Sequence, residues 1–233
     1  RLRLGQTRSV GAPETPPPEL KNVVETADLL NGRASLDYEL KNGDFTQHRH
    51  EILTKRGEGA IARPVGIEIV GTRPIVAMTP AALFSWGTQN SPDFLLRRNI
   101  VTIALAAAES TSEAQPAQDR NFNGRMLKFA TAKVRGSEEI GVYFDPQSKL
   151  IAGLEVTETE TMLGDVAAQY VFGDYRAVDG ITLPHRITIR KGGKDYSDVQ
   201  YAAIAIDDPG AVDVFVIPES ASKEAAIAAA ATD

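Results

Sequence analysis

The second half of the chain is a series of strand-length segments separated by tight-turn dipeptides, and this feature restricts the fold more than any other. "RMLKFATAKVRG", "EIGVYFD", "LIAGLEVTETE", "AAQYVFGDYRAV", "ITLPHRITIRKGG" and "YSDVQYAAIAID" alternate or run apolar. They are punctuated by Asp145-Pro146, Leu163-Gly164-Asp165, Asp179-Gly180 and Gly192-Gly193. Parallel strands need crossovers of a dozen residues or more, so connections this short dictate antiparallel pairing. The first half repeats the pattern. "ASLDYEL" places Leu36, Tyr38 and Leu40 on one face, Asn42-Gly43 marks a hairpin, and "QHRHEILTK" and "PVGIEIVG" follow as strands. "RPIVAMTPAALFSWG" reads as two short apolar strands around Thr79-Pro80, and "VFVIPES" closes the sheet.

One helix interrupts the strands. In "NSPDFLLRRNIVTIALAAAES", Ser91 is placed to cap, Pro92 suits the first helical position and Asp93 favours the positive end of the dipole. The spacing predicts a helix over about 92–108, with its start able to slip towards Arg98, and Leu95, Ile100 and Leu105 facing the core. "STSEAQPAQDRNFNG" reads as a polar loop. About ten strands against one helix predict a mainly β (α+β) protein: a curved, mostly antiparallel, half-barrel-like sheet cupped around that helix. The expected division is an extended, Pro-containing segment over 1–33, one β domain over 34–220, and an Ala-rich tail or linker over 221–233.

Composition excludes several chemistries. The net charge is −6 and the basic residues are scattered, so the concentrated basic face that nucleic acid demands is missing. With no cysteine, disulfides, thiol catalysis and zinc-thiolate sites are excluded. No apolar run approaches the roughly 20 residues of a membrane-spanning helix. "RLRLGQTRSVGAPETPPPELK" has no continuous apolar stretch, and a chain beginning at Arg1 is expected to have lost an upstream segment.

"TQHRHE" is the stretch that most resembles a metal site. His48 and His50 share one face of a strand, but zinc takes three or four protein ligands and the chain offers only His185 besides carboxylates. The metal motif of the metallo-β-lactamase fold is His-x-His-x-Asp-His, whereas Glu51-Ile52-Leu53 follows here. The pair is therefore read as polar residues on a solvated strand face, with Arg49 and Glu51 on the other side, and no metal is expected in this chain. No Gly-x-Ser-x-Gly and no phosphate loop occurs, and Asp174/Asp179 and Asp207/Asp208 sit at turns, so no catalytic residue is assigned. Among the aromatic residues, Phe84, Trp86, Phe94, Tyr170 and Phe172 are the candidates to line an apolar ligand pocket, and otherwise form core with Phe129, Tyr143, Phe144 and Tyr175.

"MLGDVAAQYVFGDYRAVDGITLPHRITIRKGG" resembles a segment in the N-terminal domains of bacterial, exported metallo-β-lactamase-fold hydrolases. The matching positions are Leu163-Gly164-Asp165, Asp174-Tyr175, Asp179-Gly180-Ile181 and Pro184, with a looser likeness over "SVGAPETPPPEL", "SLDYEL" and "AALFSWG". The motif is also similar to the strand–turn–strand of periplasmic lipoprotein-localisation carriers. The resemblance implies a periplasmic or secreted location with the signal peptide removed. It further implies a non-catalytic accessory or substrate-access role beside a hydrolase domain or subunit, which would hold the zinc. The alternative it implies is a stand-alone carrier of a lipid or another apolar small molecule.

Overall fold

The computed structural model describes residues 2–9, 19–56, 63–73, 75–77, 98–110, 117–134, 138–160, 164–211 and 213–217. The protein is mainly β and its strands pair antiparallel; among the described residues one short α-helix accompanies them. The residues expected as one domain over 34–220 divide into two compact units. One comprises residues 1–7, 18–96 and 201–233, and the other residues 8–17 and 97–200.

The first unit contains most of strand β1 (Leu2–Ser9) and strands β2 (Glu19–Asp28), β3 (Arg33–Asn42), β4 (Phe45–Arg56), β5 (Arg63–Val70) and β6 (Val76–Ala77), each paired with the next. Strand structure thus reaches into the 1–33 segment, and the Pro-rich stretch Pro13 to Pro18 lies outside the described residues. Asn42 pairs with Phe45, so the β3–β4 loop is Gly43-Asp44, one residue later than the sequence signal, with Gly43 at φ 60°. In β2, Lys21 opposes Glu39 while Val24 opposes Asp37, so Asn22 and Val23 together face one residue of β3. Asn22 takes the bulge at φ 52°, a conformation asparagine tolerates better than most residues. The bulge turns Val23 onto the apolar face, where Val23, Ala34, Leu36, Tyr38 and Leu53 form a buried cluster.

The second unit contains helix α1 (Ile100–Ser110) and strands β7 (Gln118–Phe122), β8 (Arg125–Val134), β9 (Glu138–Phe144), β10 (Ile151–Glu160), β11 (Gly164–Val178), β12 (Ile181–Lys191) and most of β13 (Lys194–Ile204). Each of β7 to β13 pairs with its sequence neighbour. Asp179-Gly180 and Gly192-Gly193 are two-residue hairpin loops with positive φ at both positions, as their sequences demand. Asn123-Gly124 is a third such loop, joining Phe122 to Arg125. β7 therefore occupies part of the segment read as a polar loop. Its burial pattern is exposed at four of five positions, so only Phe122 carries an apolar signal.

Helix α1 packs against β8. The segment from Pro92 to Arg97, including Leu95, lies outside the described residues. Ile103 and Ala106, three apart, are buried, whereas Leu105 is 57% exposed, contrary to the expectation that Leu105 faces the core. The run Ile100 to Ala108 holds a single polar residue, Thr102, among apolar ones, so hydrophobic spacing could not fix its orientation. The sheet of this unit is closely packed around β7, β9 and β10. Phe122 and Tyr143 stack at 4.2 Å, and a Cβ at Gly153 would lie 2.6 Å from the Phe122 ring and from the Tyr170 carbonyl oxygen.

Candidate functional site

The pairing registers of the first unit place charged residues inside its apolar face. Leu36 on β3 pairs with Glu25 on β2 and with Glu51 on β4, and Glu51 pairs with Glu68 on β5. Glu25, Leu36, Glu51 and Glu68 thus form one row across four strands, since directly paired residues share a face. Glu25 is 3% exposed and Glu51 6%, which is rare for carboxylates. At an interstrand spacing of ~4.8 Å, the two backbones are separated by about 10 Å.

Each buried carboxylate accepts a tyrosine hydroxyl. Tyr38 donates to Glu51 at 2.8 Å, and Tyr201 donates to Glu25 at 2.8 Å. Arg49, which pairs with Tyr38, donates to the Tyr38 oxygen at 3.4 Å and forms an ion pair with Glu68 at 3.1 Å. Its Nε donates to Gln47 at 3.2 Å. Burial pushes the Glu51 carboxyl up to about 7; the Tyr38 hydrogen bond opposes the rise, Glu68 adds to it, and Arg49 opposes it. Burial, then the nearby Glu51 charge, raises the Tyr38 phenol. A carboxyl poised near neutral pH can give or take a proton, and such groups concentrate at functional sites. Sequence reading placed Glu51 beside Arg49 without a role. The signal available was period-two alternation, which puts Glu51 on the same face as the apolar Leu53.

The opposite face of β4 carries the two histidines. His48 is exposed and lies 3.1 Å from Asp37, while His50 is half-buried and bonded to the Ser35 hydroxyl at 2.8 Å. Burial lowers the His50 imidazole, while Asp37 and a backbone hydrogen bond with Val214 pull it upward. The short 3-10 turn Asp213–Phe215 packs on β3 and β4, and the Arg33 guanidinium lies over the Phe215 ring at 4.6 Å. So only His48 meets the solvent as the sequence reading had it. Among the described residues, no group of three or more His, Asp or Glu is placed to hold a metal.

In the second unit Tyr170 and Phe172, two of the candidate pocket residues, are 1% and 6% exposed on the same face of β11. Phe84, Trp86 and Phe94 lie outside the described residues. Tyr170 pairs with Ile189, which pairs with Ser197; Phe172 pairs with Ile187, which pairs with Val199. All six are buried, and the Ser197 hydroxyl finds no hydrogen-bond partner among the described residues. On the same sheet Tyr175 donates its hydroxyl to the Ile151 carbonyl of β10, and Asp174, at φ 51°, pairs with the Arg176 guanidinium at 2.5 Å.

Fold and site together define a mainly β, antiparallel protein with a carboxylate–tyrosine network buried in its first unit. No family model matches the chain, and no curated protein matches it. A solved structure of a DUF1329 family protein from Desulfovibrio piger is similar to it at a TM-score of 0.48 and 9% sequence identity, over 79% of this chain and 82% of that one.

Proposed function

We propose that this chain is a non-catalytic accessory or substrate-access domain that works beside a metallo-β-lactamase-fold hydrolase domain or subunit. The observation that carries this reading is the structural use of the motif on which the resemblance rests. Tyr175 ties β11 to β10 through Ile151, Asp174 pairs with Arg176, and Asp179-Gly180 makes the hairpin loop. Pro184 sits buried within β12 opposite Tyr175. Tyr175 and the Asp179-Gly180 loop join β11 to its two neighbours, and the Asp174–Arg176 pair lies within β11, so the motif serves the fold. Burial of Tyr170 and Phe172 supports the same reading, because an accessory domain needs a filled core where a carrier needs an open apolar cavity. In this account the zinc belongs to the hydrolase, and the pair operates in the periplasm or outside the cell.

The test compares the hydrolase with and without this chain. Supplying the chain should change KM at least severalfold while zinc content of the hydrolase stays constant. Identical kcat and KM in both preparations would reject the role.

A second reading, a carrier of a lipid or another apolar ligand, is favoured by Ser197. Its hydroxyl is buried with no partner among the described residues, on the same face as Tyr170, Phe172, Ile187 and Val199, an apolar wall with one polar handle. Native mass spectrometry of protein taken from its own cells decides between the two. A retained apolar molecule, released by Ser197→Val, selects the carrier; bare protein selects the accessory domain.

A further inference from the structure

The row Glu25–Leu36–Glu51–Glu68 has an uneven charge balance at its β4–β5 end. Glu51 and Glu68 are directly paired, and like charges in that relation destabilise a sheet. The guanidinium of Arg49 is committed to Glu68 at 3.1 Å and reaches Glu51 only through the Tyr38 oxygen. Glu51 is the more deeply buried of the two, and its hydrogen bond comes from a neutral hydroxyl. An ionised Glu51 therefore has a facing negative charge and, among the described residues, no direct cation, in an environment that penalises charge.

We propose that Glu51 is a proton-operated switch in the first unit: the β3–β5 layer is tight while its carboxyl holds a proton, and loosens when the proton leaves. The cluster itself is the switch, with Tyr38 from β3, Arg49 from the same strand as Glu51, and Glu68 from β5. Glu25 lies two strands away in the same row, bonded to Tyr201. The Asp213–Phe215 turn approaches β3 and β4 from the other face, where Asp37, His48 and His50 stand, and so brings Asp213 to that side.

The direction follows from linkage. Glu51 binds its proton with a midpoint of about 7 in the folded unit against an ordinary value of 4.5. Its protonation supports the fold fully below 4.5, and that support is lost between 4.5 and about 7 as the pH rises. His50, whose folded value is lowered, acts in the opposite sense: its support is full above the ordinary value of 6.5 and lost as the pH falls. The two are separated by substitution rather than by pH alone.

The experiment is amide hydrogen exchange on the intact chain at pH 5.5 and 8.0, corrected for intrinsic exchange. Amides of β4 and β5 should open roughly tenfold more often at pH 8.0 in the parent, and the ratio should approach one in Glu51→Gln. Glu25→Gln should retain the parent's ratio. A ratio of one in the parent, or an unchanged ratio in Glu51→Gln, would overturn the switch. Should Glu51→Gln fail to fold, carbon-13 titration of the parent's glutamate carboxyls takes its place. One midpoint within a unit of 7 supports the proposal, and ordinary midpoints for all of them overturn it.

Discussion

Tyr201 and Glu25, separated by 176 residues of sequence, meet in the first unit, the phenol donating to the buried carboxylate at 2.8 Å. This bond ties the end of β13 to β2, so a strand reached late in the chain anchors one reached early. Removing the hydroxyl leaves Glu25 with one hydrogen bond fewer at a position 3% exposed. Tyr201→Phe should lower stability by about 1–3 kcal/mol, the range for depriving a buried polar group of a partner. Urea unfolding with an unchanged slope and a shifted midpoint is the expected record.

Helix α1 gives a contrast between neighbouring positions. Ile103 is fully buried, so Ile103→Ala should cost about 2–5 kcal/mol, whereas Leu105→Ala should change stability by no more than about 0.5 kcal/mol. Leu105→Asp should be tolerated and Ile103→Asp should not. Thermal melts of the four variants check the orientation of the helix.

Gly153 is a packing constraint. A methyl group there meets both the Phe122 ring and the Tyr170 carbonyl at 2.6 Å, and the backbone atom cannot rotate away. Gly153→Ala should destabilise the second unit by about 1–3 kcal/mol. Gly173→Ala, in the adjacent strand with nothing within 4 Å of its Cβ position, is the matched control and should be near neutral. Differential scanning calorimetry of the pair reads the difference.

His50 predicts a pH effect of known sign. Burial holds its imidazole below 6.5, so the neutral ring supports the fold above that value and the support fades on acidification. His50→Gln should flatten this acid-side loss of stability, measured as the melting temperature between pH 7 and pH 5.

Much of the fold was legible because turns carry their own chemistry. Asp179-Gly180 and Gly192-Gly193 adopt positive φ at both residues, and short loops of this kind force antiparallel neighbours. β7 was hidden because Gln118 to Asn121 all face solvent and it is held by backbone pairing to β8, which leaves no apolar alternation to see. The orientation of α1 was hidden for the opposite reason, since Thr102 alone interrupts the apolar residues between Ile100 and Ala108 and marks out no polar side. The candidate site was illegible on a third ground. A glutamate in a strand reads as solvated, and what makes Glu51 unusual is the register that sets it between Leu36 and Glu68, with Tyr38 bonded to it. Register depends on the neighbouring strands, which no single stretch of sequence reveals.

The central claim is that the chain binds or positions without turning anything over. The most direct measurement is a turnover assay of the isolated chain with esters, lactones and β-lactams, from pH 6 to 8 with zinc supplied. Burial pushes the Glu51 carboxyl up to about 7, into the range for proton transfer, so the assay includes Glu51→Gln. The account predicts no turnover above the uncatalysed rate for either protein. Turnover by the parent that disappears in Glu51→Gln, with the variant still folded, would contradict it.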